Sequence, residues 1–161
     1  MQPKDRLYDI MMRTVYNLKY IEENKDSNGP YETTQLLNSF IGAVAHPWEK
    51  YKQELNAITL DEAQVRGWPI IEKERPDDKD PENLGDLIRL MRNGIAHGNI
   101  IPYPDSNMEI RSVLIWNLKP NGTRDWGAVL PVDILRQFLF KFVELATNMH
   151  NTNDSNRYDA S

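Results

Sequence analysis

The hydrophobic period of this chain changes twice, and those changes limit its fold more than any other feature. In the segments before Gly98 apolar residues recur every three or four positions, between Ile110 and Leu130 they alternate, and from Val132 to Met149 the helical spacing returns. A helical stripe cannot be buried by a strand, nor an alternating one by a helix. The expected fold is therefore mainly α: a bundle of four to five helices with a β-hairpin inserted before the C-terminal helix. A chain of 161 residues, 40% hydrophobic, fits a single domain over residues 1–150 with a real core. Residues 151–161 are polar and unpatterned, so a disordered tail is expected there.

The first helix is predicted from Pro3 to about Glu23, with Leu7, Ile10, Met11, Thr14, Leu18 and Ile21 on its inner face. The cluster from Lys25 to Pro30 breaks it. A second helix, Tyr31 to Ala45, carries Leu36, Leu37, Phe40, Ile41 and Val44; Gly42, Ala43 and Ala45 make it thin on one side, which suits a central position. Residues 46–80 are the least regular, with one short helix predicted at Leu60 to Val65. Trp48, Tyr51 and Trp68 suit anchors folding this stretch back on the bundle, or, as the alternative, platforms for base stacking.

A further helix is predicted from Pro81 to His97, capped by Asp80 and buried along Leu84, Leu87, Ile88, Met91 and Ile95. The acidic run before it reads as a solvated helix entry. Beyond Gly98, a short strand near Asn99 to Pro102 precedes a strand in which Ile110, Ser112, Leu114, Trp116 and Leu118 share a face. The turn Lys119-Pro120-Asn121-Gly122 leads to a return strand, Trp126 to Leu130. The last helix starts at Pro131 or Val132 and buries Ile134, Leu135, Phe138, Phe142, Leu145 and Met149.

Composition removes several chemistries. With no cysteine, disulfides, thiolate nucleophiles and zinc-thiolate sites are excluded. His46, His97 and His150 do not have ligand spacing, so neither a metal nor a cofactor is expected. No run of 18 apolar residues and no apolar signal core occurs, which makes the cytoplasm the expected compartment and a membrane no partner. The formal charge of −5 suits broad nucleic-acid binding poorly. However, residues 72–86 hold seven acids against three bases, so the rest of the chain is nearly neutral.

The chemistry concentrates in Arg92-Asn93-Gly94-Ile95-Ala96-His97. A guanidinium matches a phosphate, and an imidazole transfers protons near neutral pH. Five residues apart, Arg92 and His97 differ by roughly 140° around a helix, whereas Arg89, Asn93 and His97 stack along one line. Two copies of the helix, packed antiparallel about a two-fold axis, would bring both trios to one cleft, so the motif points to a homodimer. Gly94 permits close approach by a second subunit or a phosphate, or is a harmless helix-end glycine. A structural reading of the rest also stands: His97 favours the helix dipole and Gly98 stops the helix.

The stretch Leu84 to Gly98 resembles the signature helix of the HEPN superfamily, in which Arg and a polar residue, here Asn93, precede His. Thr34 to Gly42 also looks like the second helix of a bacterial, often plasmid-borne group with a strand pair before its last helix. The resemblance covers most of residues 3–149. It implies a helical bundle dimerising through the motif helix and, in many members, a metal-independent endoribonuclease: Arg92, His97 and Asn93 catalytic, Arg89 binding substrate, RNA a transient partner. It also implies a setting in defence or as a toxin with an antitoxin or regulatory protein. Asn99 stands where one toxin branch has a tyrosine modified by its partner, so that route of control is not expected here. Other members serve as non-catalytic dimerisation, nucleotide-binding or partner-binding modules.

Overall fold

The computed structural model describes residues 5–26, 29 and 32–158. Six α-helices and three strands follow one another: α1 (Arg6–Glu23), α2 (Glu32–Phe40), α3 (Trp48–Asn56), α4 (Leu60–Val65), α5 (Leu84–Ala96), β1 (Ile100–Pro104), β2 (Ile110–Leu118), β3 (Arg124–Pro131) and α6 (Val132–Tyr158). This is the expected helical bundle with antiparallel strands before the last helix, with α3 added in the stretch that looked irregular. The predicted starts at Pro3 and Tyr31, with Asn28 and Pro30 of the turn, lie outside the described residues. Asp5 caps α1 by accepting from the Tyr8 amide. At the far end α6 continues to Tyr158, into the stretch expected to be a tail.

The core is shared by all layers: Met11, Leu18, Phe40, Val44, Leu55, Ile88, Met91, Ile115, Phe138 and Phe142 are each at most 1% exposed. On α1 the buried face is Met11, Val15 and Leu18, while Leu7 and Ile10 point to solvent. Gly42 lies in a π-helical turn, Ile41–Ala45, that continues α2. A methyl group there would meet Thr14 Oγ1 at 3.2 Å, so the thin side of this helix is where α1 packs.

The aromatic anchors behave as expected. Trp48, Tyr51 and Trp68 are at most 6% exposed; Tyr51 meets Phe142 edge-on at 5.8 Å and Trp68 meets Phe138 at 5.2 Å. Base stacking on them is not supported, because Tyr51 and Trp68 pack against core phenylalanines and the buried Trp48 ring is approached by Arg92 and Lys52.

The acidic run is a solvated entry only in part: Glu72, Glu74, Asp77, Asp80 and Glu82 are exposed, but two of its acids are structural. Asp78 is buried and takes two hydrogen bonds from Arg124, Nε at 2.9 Å and Nη2 at 2.7 Å, while Arg124 Nη2 also reaches Glu74 at 2.6 Å. The Glu74 and Lys79 amides donate to the carbonyls of Gly127 and Asp125. The run thus lies along the edge of β3. Asp80 pairs with Lys73 instead of capping. Asn83 is the N-cap of α5, and its side chain accepts from the Asp86 amide at 2.8 Å.

The sheet order is β1-β2-β3, antiparallel throughout. Val113 and Ile115 face the helices and are fully buried, so the alternating set Ser112, Leu114 and Trp116 lies on the outer side. The Trp116 amide donates to the Asn99 carbonyl, which puts Ile101 and Tyr103 in hydrogen-bonded register. Pro102 and Pro104 then occupy the edge-facing positions of β1, where a missing N–H discourages strand addition.

Candidate active site

All of the motif residues lie on or directly beyond α5. Its principal neighbours are α3, the π turn and β2. Leu84, Leu87, Ile88, Leu90, Met91 and Ile95 are buried, which leaves Arg89, Asn93 and Ala96 on the open side. The period of the stripe therefore fixes which residues stay accessible.

Arg92 leans toward α3. Its guanidinium carbon lies 4.9 Å from the centre of the Trp48 indole, and its Nη1 is 3.8 Å from Glu49 Oε1. Trp48 is itself held, with Nε1 donating to the Gly85 carbonyl at 3.2 Å. The guanidinium is thus positioned from one side by an aromatic surface, with its side chain 27% exposed.

His97 is the C-cap of α5 and is exposed. Its amide donates to the Asn93 carbonyl, that of Gly98 to Ile95, and that of Asn99 to Gly94. Gly98 has φ +70°, the left-handed conformation that closes this Schellman-type end. No side-chain hydrogen bond of His97 occurs among the described residues. Its helix-end role is therefore met by the backbone, and the imidazole remains available.

Asn93 sits half-buried between Arg92 and His97 in sequence and on the open side in space. Arg89 is engaged: Nε at 3.1 Å and Nη2 at 2.6 Å both donate to Asp86 Oδ1. Asp86 also receives the Lys79 ammonium at 2.9 Å and the Glu82 amide at 3.2 Å. Burial by itself would raise this carboxyl, but the bonds from Lys79, Arg89 and Glu82 outweigh it and hold Asp86 below the usual carboxylate range. Arg89 is left with Nη1 for any ligand.

Gly94 does not serve a second subunit or a phosphate. A methyl group there would fall 2.5 Å from Ile115 Cγ2 and 2.7 Å from the Trp116 carbonyl oxygen, so it is β2 of the same chain that approaches. The sequence reading missed Trp48, Glu49 and Lys52 as neighbours of the motif. Lys52 Nζ lies 5.0 Å from the centre of the same indole that Arg92 covers. Charged residues three and four apart around Trp48 would have been the signal for a helix there.

No group of three or more His, Asp or Glu side chains arranged to hold a metal occurs among the described residues. None of their helices is long and apolar enough to cross a membrane. The family model described as HEPN pEK499 p136 matches residues 1–153. No curated protein and no solved structure matches the chain.

Proposed function

Because the chain belongs to the HEPN pEK499 p136 family, we propose that it is a metal-independent endoribonuclease acting as a homodimer, with Arg92 and His97 of both copies in one composite site. One observation carries the reading. Arg92 is positioned by Trp48, while His97, about one and a half turns on, keeps a solvent-exposed imidazole without a bonding partner among the described residues. A purely structural pair would be expected to spend both side chains on the fold.

The chemistry follows from the ribose 2′-hydroxyl. One His97 removes its proton, the 2′-oxygen bonds to the adjacent phosphorus, and the bond from phosphorus to the 5′-oxygen breaks. The second His97 returns a proton to the leaving 5′-oxygen. The products are a 2′,3′-cyclic phosphate and a 5′-hydroxyl. Arg92 stabilises the charge that builds on the phosphoryl oxygens, Asn93 orients phosphate or imidazole, and Arg89 adds charge through Nη1. Two histidines are needed at once, and one chain supplies one; Arg89, Asn93 and Ala96 on the open side of α5 offer the second copy a seat.

Incubation of the purified protein with RNA in EDTA tests the proposal. Cleavage with cyclic-phosphate ends is expected for the wild type, with a loss of at least about 100-fold in His97→Ala and in Arg92→Ala. DNA of the same sequence should remain intact. Equal activity in wild type and His97→Ala would reject the reading. An inactive wild type whose dimer dissociates in both variants would favour a dimerisation or partner-binding module in its place. Action as a toxin or defence effector, held in check by an antitoxin or regulatory protein, is the biological setting we propose for this activity.

A further inference from the structure

The cation beside Arg92 that has no motif to announce it is Lys52, on the exposed side of α3. Arg92 Cζ and Lys52 Nζ lie 4.9 and 5.0 Å from the centre of one indole, that of Trp48. Their heads can therefore be no further apart than the sum of those distances, which keeps both within reach of one stretch of a strand. The two cations differ in what neutralises them. Arg92 faces Glu49 at 3.8 Å, whereas no carboxylate pairs with Lys52 among the described residues. Arg89 and Lys79, further along this side, are both held by Asp86.

We propose that α3 completes the nucleic-acid surface of the α5 site: Lys52 binds the phosphate next to the one held by Arg92, and Glu49 is the counter-ion that RNA displaces from Arg92. This rests on the ribonuclease reading and adds a second phosphate position to it. The arrangement has a physical logic. Glu49 is 64% exposed and its contact is long, so it is a weak partner that solvent already competes for. An RNA phosphate can replace it at small cost, while carboxylates and single anions meet a guanidinium that is already partly neutralised. Lys52, with no such partner, favours ligands that bring a second phosphate. Trp48 holds both cationic heads beside one rigid ring, which lowers the entropy lost when a strand binds.

The test is the affinity and turnover of a short single-stranded RNA across a salt series. Lys52→Ala is expected to raise KM roughly five-fold, leave kcat within two-fold, and reduce the slope of log affinity against log salt by about 0.7, the value for one lost phosphate contact on a single strand. Lys52→Arg should restore both quantities. Glu49→Gln should lower KM roughly two- to three-fold, because an attached competitor is removed. Lys19→Ala, on α1, removes the same charge elsewhere and should change neither KM nor slope.

If the wild type cleaves RNA in a His97-dependent manner but Lys52→Ala keeps its KM and salt slope, the second phosphate position is wrong and the ribonuclease reading survives. A lowered melting temperature with an unchanged slope would likewise overturn it, since Lys52 would then only pack on Trp48. If the wild type neither binds nor cleaves RNA, both proposals fall.

Discussion

At the scale of single residues, Gly94 shows how much one missing side chain decides. Glycine inside a helix costs about 1 kcal/mol relative to alanine, and here the cost is accepted because Ile115 and the backbone of Trp116 occupy the space a methyl group would need. Gly94→Ala should therefore destabilise despite its better helix propensity. Overpacking of this kind costs about 2–3 kcal/mol, so the net loss should be about 1–2 kcal/mol and the melting temperature should fall by roughly 3–6 °C. A variant that melts higher than the wild type would show that β2 can yield without loss. Arg92 and Asn93 illustrate the reverse case. Their types made them candidates for a phosphate site together with His97, but the indole beneath Arg92 was not legible, since nothing in a linear string brings Trp48 and Arg92 together.

At the scale of elements, α5 begins where a network places it. Asp80-Pro81 is a good helix start on local grounds, yet Asp80 is held by Lys73 and the helix begins only after Asn83, whose backbone is extended. The Leu84 amide then donates to the Ile58 carbonyl, and Asp86, in the first turn, gathers Lys79, Arg89 and the Glu82 amide. This carboxylate stabilises the fold only while ionised. Its folded value lies below its ordinary one, so the contribution is present above about pH 4 and is lost as the pH falls through the lowered folded value. Asp86→Asn should lose about 1–2 kcal/mol at pH 7, and the gap to wild type should narrow in acid. Urea denaturation at pH 7 and pH 3 measures both; two curves that stay parallel would exclude Asp86 as the source of the pH dependence. Asp78 was the part of the acidic run that was misread, because charge density alone cannot say that Arg124 is waiting for it across the fold.

At the scale of the whole molecule, the decisive quantity is the number of chains. The open side of α5 carries Arg89, Asn93 and Ala96, and Ala96 is small and exposed. We expect sedimentation to give a dimer. Ala96→Glu should convert it to a monomer at micromolar concentration, abolish RNA cleavage, and change folding stability by only about 0.5 kcal/mol. A wild type that sediments as a monomer and still cleaves RNA would remove the composite site.

The sequence by itself determined the order of helices and strands apart from α3, the inner face of α5 and the helix stop at Gly98. These follow from spacing and from local backbone preference, which act between near neighbours in the chain. Tertiary structure alone decided that Gly94 admits β2, that Asp78 and Asp86 are structural counter-ions, that α3 forms at Trp48, and that Arg92 and Lys52 meet over one indole. Apart from the Asp86 pairs, which are local, these depend on contacts between residues far apart in sequence, where packing and charge pairing outweigh local propensity.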